Sequence, residues 1–195
     1  NYADETDFGR RADFTTTAPT LWSDPAADRM AYLESLVDLY VQENGAEPGA
    51  LVVSKRVMRA LTNGTQFAVQ LIGGGQRPAT EGDVQAILAG AGLPAIVPYD
   101  RRTSGGRVTP DDSLLLLPAA VDPNDGEGTE LGATFWGQTL ASSEPEYGIA
   151  ESEQPGVVTA AFTNDGIPPI KHVFADSLSL PVLANANLSL KAKVL

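Results

Sequence analysis

The chain contains no cysteine. Disulfides, thiolate catalysis and cysteine-ligated metal are therefore excluded, although nothing follows about compartment. It has one histidine, His172. One imidazole cannot build a multi-histidine zinc site. A Ser-His-Asp triad would have to use it, yet no serine lies in a G-x-S-x-G elbow. Within Ile170-Lys171-His172-Val173-Phe174, it reads as a partly exposed strand histidine. No apolar run approaches the roughly 20 residues that span a bilayer, and no signal-peptide pattern opens these residues. Basic residues are scarce: 13 stand against 25 acidic ones, a net charge of −12. Such a surface repels phosphate and disfavours duplex DNA as a direct ligand; it also favours solubility.

What remains is ordinary globular material. The 195 residues are 43% hydrophobic and 19% charged, too apolar for a disordered chain. A chain of this length buries roughly 70% of its unfolded surface. The first residue is Asn1, not Met, so the chain is expected to be cut from a longer one.

Asn1 to Pro19 reads as an arm and a strand, with Tyr2, Phe8 and Phe14 as spaced anchors and Thr15-Thr16-Thr17 favouring extended backbone. Residues 24–44 carry the clearest helical pattern. Asp24 can cap it, Pro25 suits its first position, and Met30, Leu33, Leu36, Val37, Tyr40 and Val41 form one stripe. Asn44-Gly45 ends it. Ala50 to Val53 reads as a short buried strand, and Ser54 as the cap of a second helix with Val57, Met58 and Leu61 inward. Gln66 to Ile72 is expected as a strand, followed by the turn Gly73-Gly74-Gly75. Thr80 and Asp83 frame a third helix, with Val84, Ile87 and Leu88 inside and Gly90 or Gly92 at its end.

From residue 93 the pattern is β. Leu93 to Val97 leads into Tyr99-Asp100, and a hairpin turns at Ser104-Gly105-Gly106. Leu114 to Leu117 is continuous and apolar, as in a strand buried on both faces. Asp122 to Glu130 and residues 141–155 read as loops. Leu131 to Trp136 is short and apolar. Gly156 to Phe162, Lys171 to Leu180 and Leu188 to Leu195 are three strand candidates, with a turn at Asn164-Asp165-Gly166 and Pro168-Pro169. Helix, strand, helix, strand, helix, then strands is an α+β order: a mixed sheet with flanking helices.

Little of this carries chemistry. Gly73-Gly74-Gly75-Gln76-Arg77 lacks both the terminal Gly-Lys-Ser/Thr of a P-loop and the dinucleotide-binding spacing. Asp122, Asp125, Glu127 and Glu130 do not complete a calcium loop, because Pro123 and Asn124 disturb its register. Paired carboxylates as in glycosidases cannot be picked out of 25 acids. No catalytic, cofactor or metal site is expected. Trp22, Tyr99, Phe135, Trp136 and Phe162 read as core or subunit contacts rather than base-stacking platforms, since no basic stripe accompanies them. Arg101, Arg102 and Arg107 cluster on the hairpin; they suit a solvated tip or pairing with an acidic loop of a neighbouring subunit.

The order of segments adds a resemblance. Thr20-Leu21-Trp22-Ser23-Asp24-Pro25, Gly49 to Ser54 with Arg56 to Leu61, Gly92 to Asp100, Leu114 to Pro118 with Leu131-Gly132 and Gly137, and Ile170 to Asn185 follow one another as stated. Together they resemble the lambda-type major head protein family, also called the major capsid protein E family, over about Trp22 to Leu195.

The resemblance implies a tailed-phage major capsid fold. Residues 15–160 would form an axial-type domain, and 1–14 with 161–195 would be strands of a peripheral-type domain. The N-terminal arm, extended loop and spine helix would have no counterpart here. It implies a non-enzymatic head subunit without cofactors, binding copies of itself in pentamers and hexamers of an icosahedral shell around DNA. It would sit in the virion, and in the host cytoplasm during assembly. A scaffold, a protease or a decoration protein are further partners; sequence-specific nucleic acid and membrane are not. Loops 101–112, 122–130 and 138–155 are candidate contacts, with Arg101, Arg102, Arg107, Asp125, Glu127, Glu144 and Glu146 as residues. The alternatives are another virion domain (tail, decoration or adhesin-like) and a hydrolase with an acidic site. Three periodic helices argue against a pure β adhesin, and no converging titratable groups point to a hydrolase pocket.

Overall fold

The computed structural model describes residues 10–71, 77–119, 131–139 and 157–195. The chain divides into two compact units, Asn1–Leu131 with Asn185–Leu195, and Gly132–Ala184.

The first unit is built on a five-stranded mixed sheet. Its strands are β1 (Thr15–Thr17), β2 (Ala50–Val53), β3 (Ala95–Pro98), β6 (Ser113–Leu117) and β11 (Leu190–Lys193), in the order β1-β11-β6-β2-β3. β4 (Arg102–Thr103) and β5 (Gly106–Arg107) form the expected hairpin between β3 and β6. β1–β11 and β2–β3 are parallel; β11–β6 and β2–β6 are antiparallel. The terminal strand therefore shares this sheet with β1 and β6. Its register makes the core. Ile96, Leu51, Leu116 and Leu190 are successive cross-strand partners, and so are Val53, Leu114 and Ala192. Partners face the same side, so two rows of side chains cross the sheet, all of them buried. The alternate residues Val52, Leu115 and Leu117 are half-buried, and Lys193 is exposed. The sheet is therefore dry on one face only, and β6 is less symmetrically buried than its unbroken Leu run suggests.

Helices α1 (Arg29–Asn44), α2 (Lys55–Thr62) and α4 (Glu81–Gly90) bring Leu33, Leu36, Tyr40, Val57, Met58, Leu61, Val84 and Leu88 into the same cluster. Two caps match expectation. Ser54 Oγ accepts from Val57 N at 3.1 Å. Thr80 and Asp83 close a reciprocal capping box at the start of α4. α1, however, starts four to five residues later than expected, with Asp28 as its cap. Asp24 instead closes a tight turn, its Oδ1 accepting from Ala26 N at 2.8 Å. The cause is Arg29, whose guanidinium takes the carbonyls of Trp22, Asp24 and Ala27. A helix through 24–28 would need the Asp24 carbonyl for its own ladder. α1 ends as expected, with Gly45 in the left-handed conformation at φ +69° and its N–H bonded to Val41 O.

Residues 66–72 contradict the expected strand. They begin with the short helix α3 (Thr65–Val69). A strand would bury alternate residues, but Phe67 is buried while Val69 is exposed. The helix also presents Gln66, whose Oε1 accepts from Arg29 N at 3.1 Å and Met30 N at 3.3 Å, serving donors that the first turn of α1 leaves open.

The second unit is strands alone among its described residues. β7 (Gly132–Gly137) pairs with β10 (Leu178–Leu183), and β8 (Val158–Asn164) with β9 (Ile170–Asp176), both antiparallel. The single strand expected over 171–180 is two, broken at Ser177. Each pair is a two-stranded ribbon, too small to enclose a core.

Candidate subunit-contact site

Two surfaces stand out, one charged and one apolar. The first is the β4–β5 hairpin. Thr103 Oγ1 accepts from Gly105 N at 3.3 Å, and Gly106 takes φ +119°, which only glycine adopts without strain. The register sets Arg102 directly opposite Arg107. Arg107 has intrachain partners: it is ion-paired with Asp100, and its Nε lies 3.9 Å from Asp111 Oδ2. Arg101 and Arg102 are exposed, and their guanidiniums make no ion pair or hydrogen bond among the described residues. Of the three arginines expected to act together, two are therefore free for an outside partner. Like charges directly across a strand pair repel, and the Asp100–Arg107 pair relieves that repulsion. The acidic candidates Asp125, Glu127, Glu144 and Glu146 lie outside the described residues, as does the Gly73-Gly74-Gly75 turn.

The second surface is one face of the β7–β10 ribbon. Leu178, Leu180 and Val182 lie opposite Gly137, Phe135 and Ala133. Every position of that face is thus apolar, and Leu178 is 58%, Phe135 61% and Leu180 62% exposed. The reverse face carries Ser179, Pro181 and Thr134 beside Trp136. A contiguous exposed apolar face of this kind marks an interaction site. The alternation Leu178-Ser179-Leu180 was its sequence signal, and it counts only once Phe135 is known to be the cross-strand partner.

Elsewhere the titratable groups are local. Arg77 and Thr80 hold the Asp83 carboxyl well below the usual carboxylate range. Burial lowers the Arg29 guanidinium from its ordinary value, opposed by the nearby Asp24 charge. His172 is exposed on β9 and is opposite Phe162. Among the described residues no group of three or more His, Asp or Glu is placed to hold a metal ion, and no helix is long and apolar enough to cross a membrane.

No protein-family model and no curated protein matches the chain. Solved structures do. A phage-related protein of Bordetella bronchiseptica RB50 superposes with a TM-score of 0.64 at 14% identity, over 94% of this chain and 57% of its own. The fold is a phage capsid-like one. A second neighbour, a prophage chain of E. coli CFT073 assigned as a capsid protein, superposes with a TM-score of 0.58 at 16% identity, over 95% of this chain and 54% of its own. At such identities the likeness is one of fold. The chain spans little more than half the length of these two phage chains.

Proposed function

We propose that the chain is part of a structural subunit of a phage or prophage head, a major capsid protein that binds copies of itself in pentamers and hexamers of an icosahedral shell. The observation that carries this reading is the superposition of both units, over 94–95% of the chain, on phage chains of which one is assigned as a capsid protein. The surfaces support it. A shell subunit needs many moderate, repeated contacts that sum over a closed assembly, not a catalytic group. The exposed β7–β10 face and the free Arg101 and Arg102 are contacts of that kind. On this reading residues 15–160 form an axial-type domain, and 1–14 with 161–195 belong to a peripheral-type one. The lambda-type family is the finer assignment we favour, on the order of motifs from Trp22 onward. The site of action is then the virion, with assembly in the host cytoplasm; a scaffold, protease or decoration protein are the further partners. A charge of −12 suits the wall of a container for packed DNA, which should not bind the DNA it holds.

The test is negative-stain electron microscopy of the parent protein expressed with its neighbouring genes. Shells of uniform diameter are the expected result; soluble monomers under every assembly condition would overturn it. Reversal of Arg101 and Arg102 to Glu should then cut the yield of shells while leaving the monomer folded, as read by circular dichroism. Unchanged yield would remove the hairpin from the list of contacts.

A further inference from the structure

Helix α2 has two unlike sides. Val57, Met58 and Leu61 are wholly buried in the core. Arg56, Arg59, Ala60 and Asn63, at spacings of three, four and seven, form the opposite stripe. That stripe lines an open cavity of 360 Å³ in the first unit together with Trp22, Ser23, Pro25, Arg29 and Leu195. The volume is that of a small-ligand site.

Arg29, Arg56 and Arg59 line the cavity together with Leu195, the last of the 195 residues. Arg29 is only 3% exposed. Its Nη atoms donate to the carbonyls of Trp22 at 2.7 Å, Asp24 at 3.2 Å and Ala27 at 3.2 Å. Its Nε is buried with no hydrogen-bond partner, and no carboxylate lies within ion-pair distance among the described residues. Arg59 likewise has neither ion pair nor hydrogen bond to its guanidinium among them. Arg56 has one distant carboxylate, Asp111 Oδ2 at 3.9 Å, which Arg107 shares at the same distance. A buried cation without its counterion is costly. Among the described residues Asp24 acts on Arg29, from beyond ion-pair distance.

We propose that this cavity is an oxyanion-binding site whose ligand is a carboxylate, held in the forks of Arg56 and Arg59 and in the field of Arg29. Planar guanidiniums match carboxylates two bonds at a time, and the Asn63 side chain lines the same wall. Arg29 is a positioning residue: its Nη donors are already engaged by main-chain carbonyls, so it contributes charge and shape. The carboxylate has two sources, an acidic segment of another polypeptide or a free anion from solution. Neither depends on shell formation, so this inference stands or falls apart from the capsid reading.

The test is isothermal titration of the 195-residue protein at low ionic strength, with tetraglutamate and, separately, free succinate. Arg56 and Arg59 are exposed, so the double variant R56E/R59E should keep its circular-dichroism spectrum. Tetraglutamate should bind the parent protein and bind the double variant at least tenfold more weakly. The hairpin variant R101E/R102E should bind as the parent does. Succinate binding that needs Arg56 and Arg59, without peptide binding, would keep the site and assign it to a free carboxylate. No binding of either probe, or binding that R56E/R59E leaves unchanged, would overturn the proposal.

Discussion

At the scale of single residues, Arg29 decides more than any other side chain. It holds three carbonyls of the Trp22–Ala27 turn and so fixes where α1 begins. Hydrogen bonds to a charged donor contribute about 1.5–3 kcal/mol each, and an orphaned buried carbonyl costs about 1–3 kcal/mol. Arg29→Met should therefore lower unfolding free energy by on the order of 3 kcal/mol, read from the midpoint of a urea titration. A loss below about 0.5 kcal/mol, the ordinary spread for surface changes, would mean the turn holds itself. Ser54, Thr80 and Asp83 were legible as caps because a cap involves residues three apart. Arg29 was not, because its partners are main-chain atoms that carry no residue identity.

At the scale of elements, α4 offers the cleanest test. Its capping box satisfies two donors that the helix leaves open, and Thr80→Ala should cost about 1 kcal/mol. Arg77 and Thr80 depress the folded-state pKa of Asp83. A depressed carboxylate stabilises the fold above its unfolded pKa, about 3.9, and loses that contribution as pH falls through the folded value. The difference in Tm between the parent protein and Asp83→Asn should thus be flat from pH 7 to about pH 4 and shrink below it. A difference that changed between pH 7 and 5 would point to another group. α3 shows the limit of reading elements locally. Phe67, Val69 and Leu71 alternate as a strand would, but the residues form a helix whose Gln66 serves the α1 terminus.

At the scale of the whole molecule, the two units differ in kind. The first has a dry core of cross-strand rows and helix faces. The second exposes Phe135, Leu178 and Leu180 on one ribbon face, apolar area that association would remove from water. If that face serves contact between copies, Phe135→Ser with Leu180→Ser should reduce concentration-dependent association in sedimentation velocity and leave the thermal midpoint of the first unit unchanged. A lowered midpoint with unchanged association would make the face internal packing instead.

The sequence by itself determined the class of fold, three of the four α-helices among the described residues, the hairpin and the caps at Ser54 and Thr80. These rest on periodicity and on contacts within a few residues, which the chain expresses directly. It also excluded thiol, multi-histidine and P-loop chemistry, since those need residue types or spacings the chain lacks. Only the tertiary structure decided which strands are neighbours, that the last strand lies between β1 and β6, that Phe135 faces Leu180, and that Arg29, Arg56 and Arg59 share one cavity. Those facts join residues far apart along the chain, and neither composition nor spacing encodes the register that brings them together.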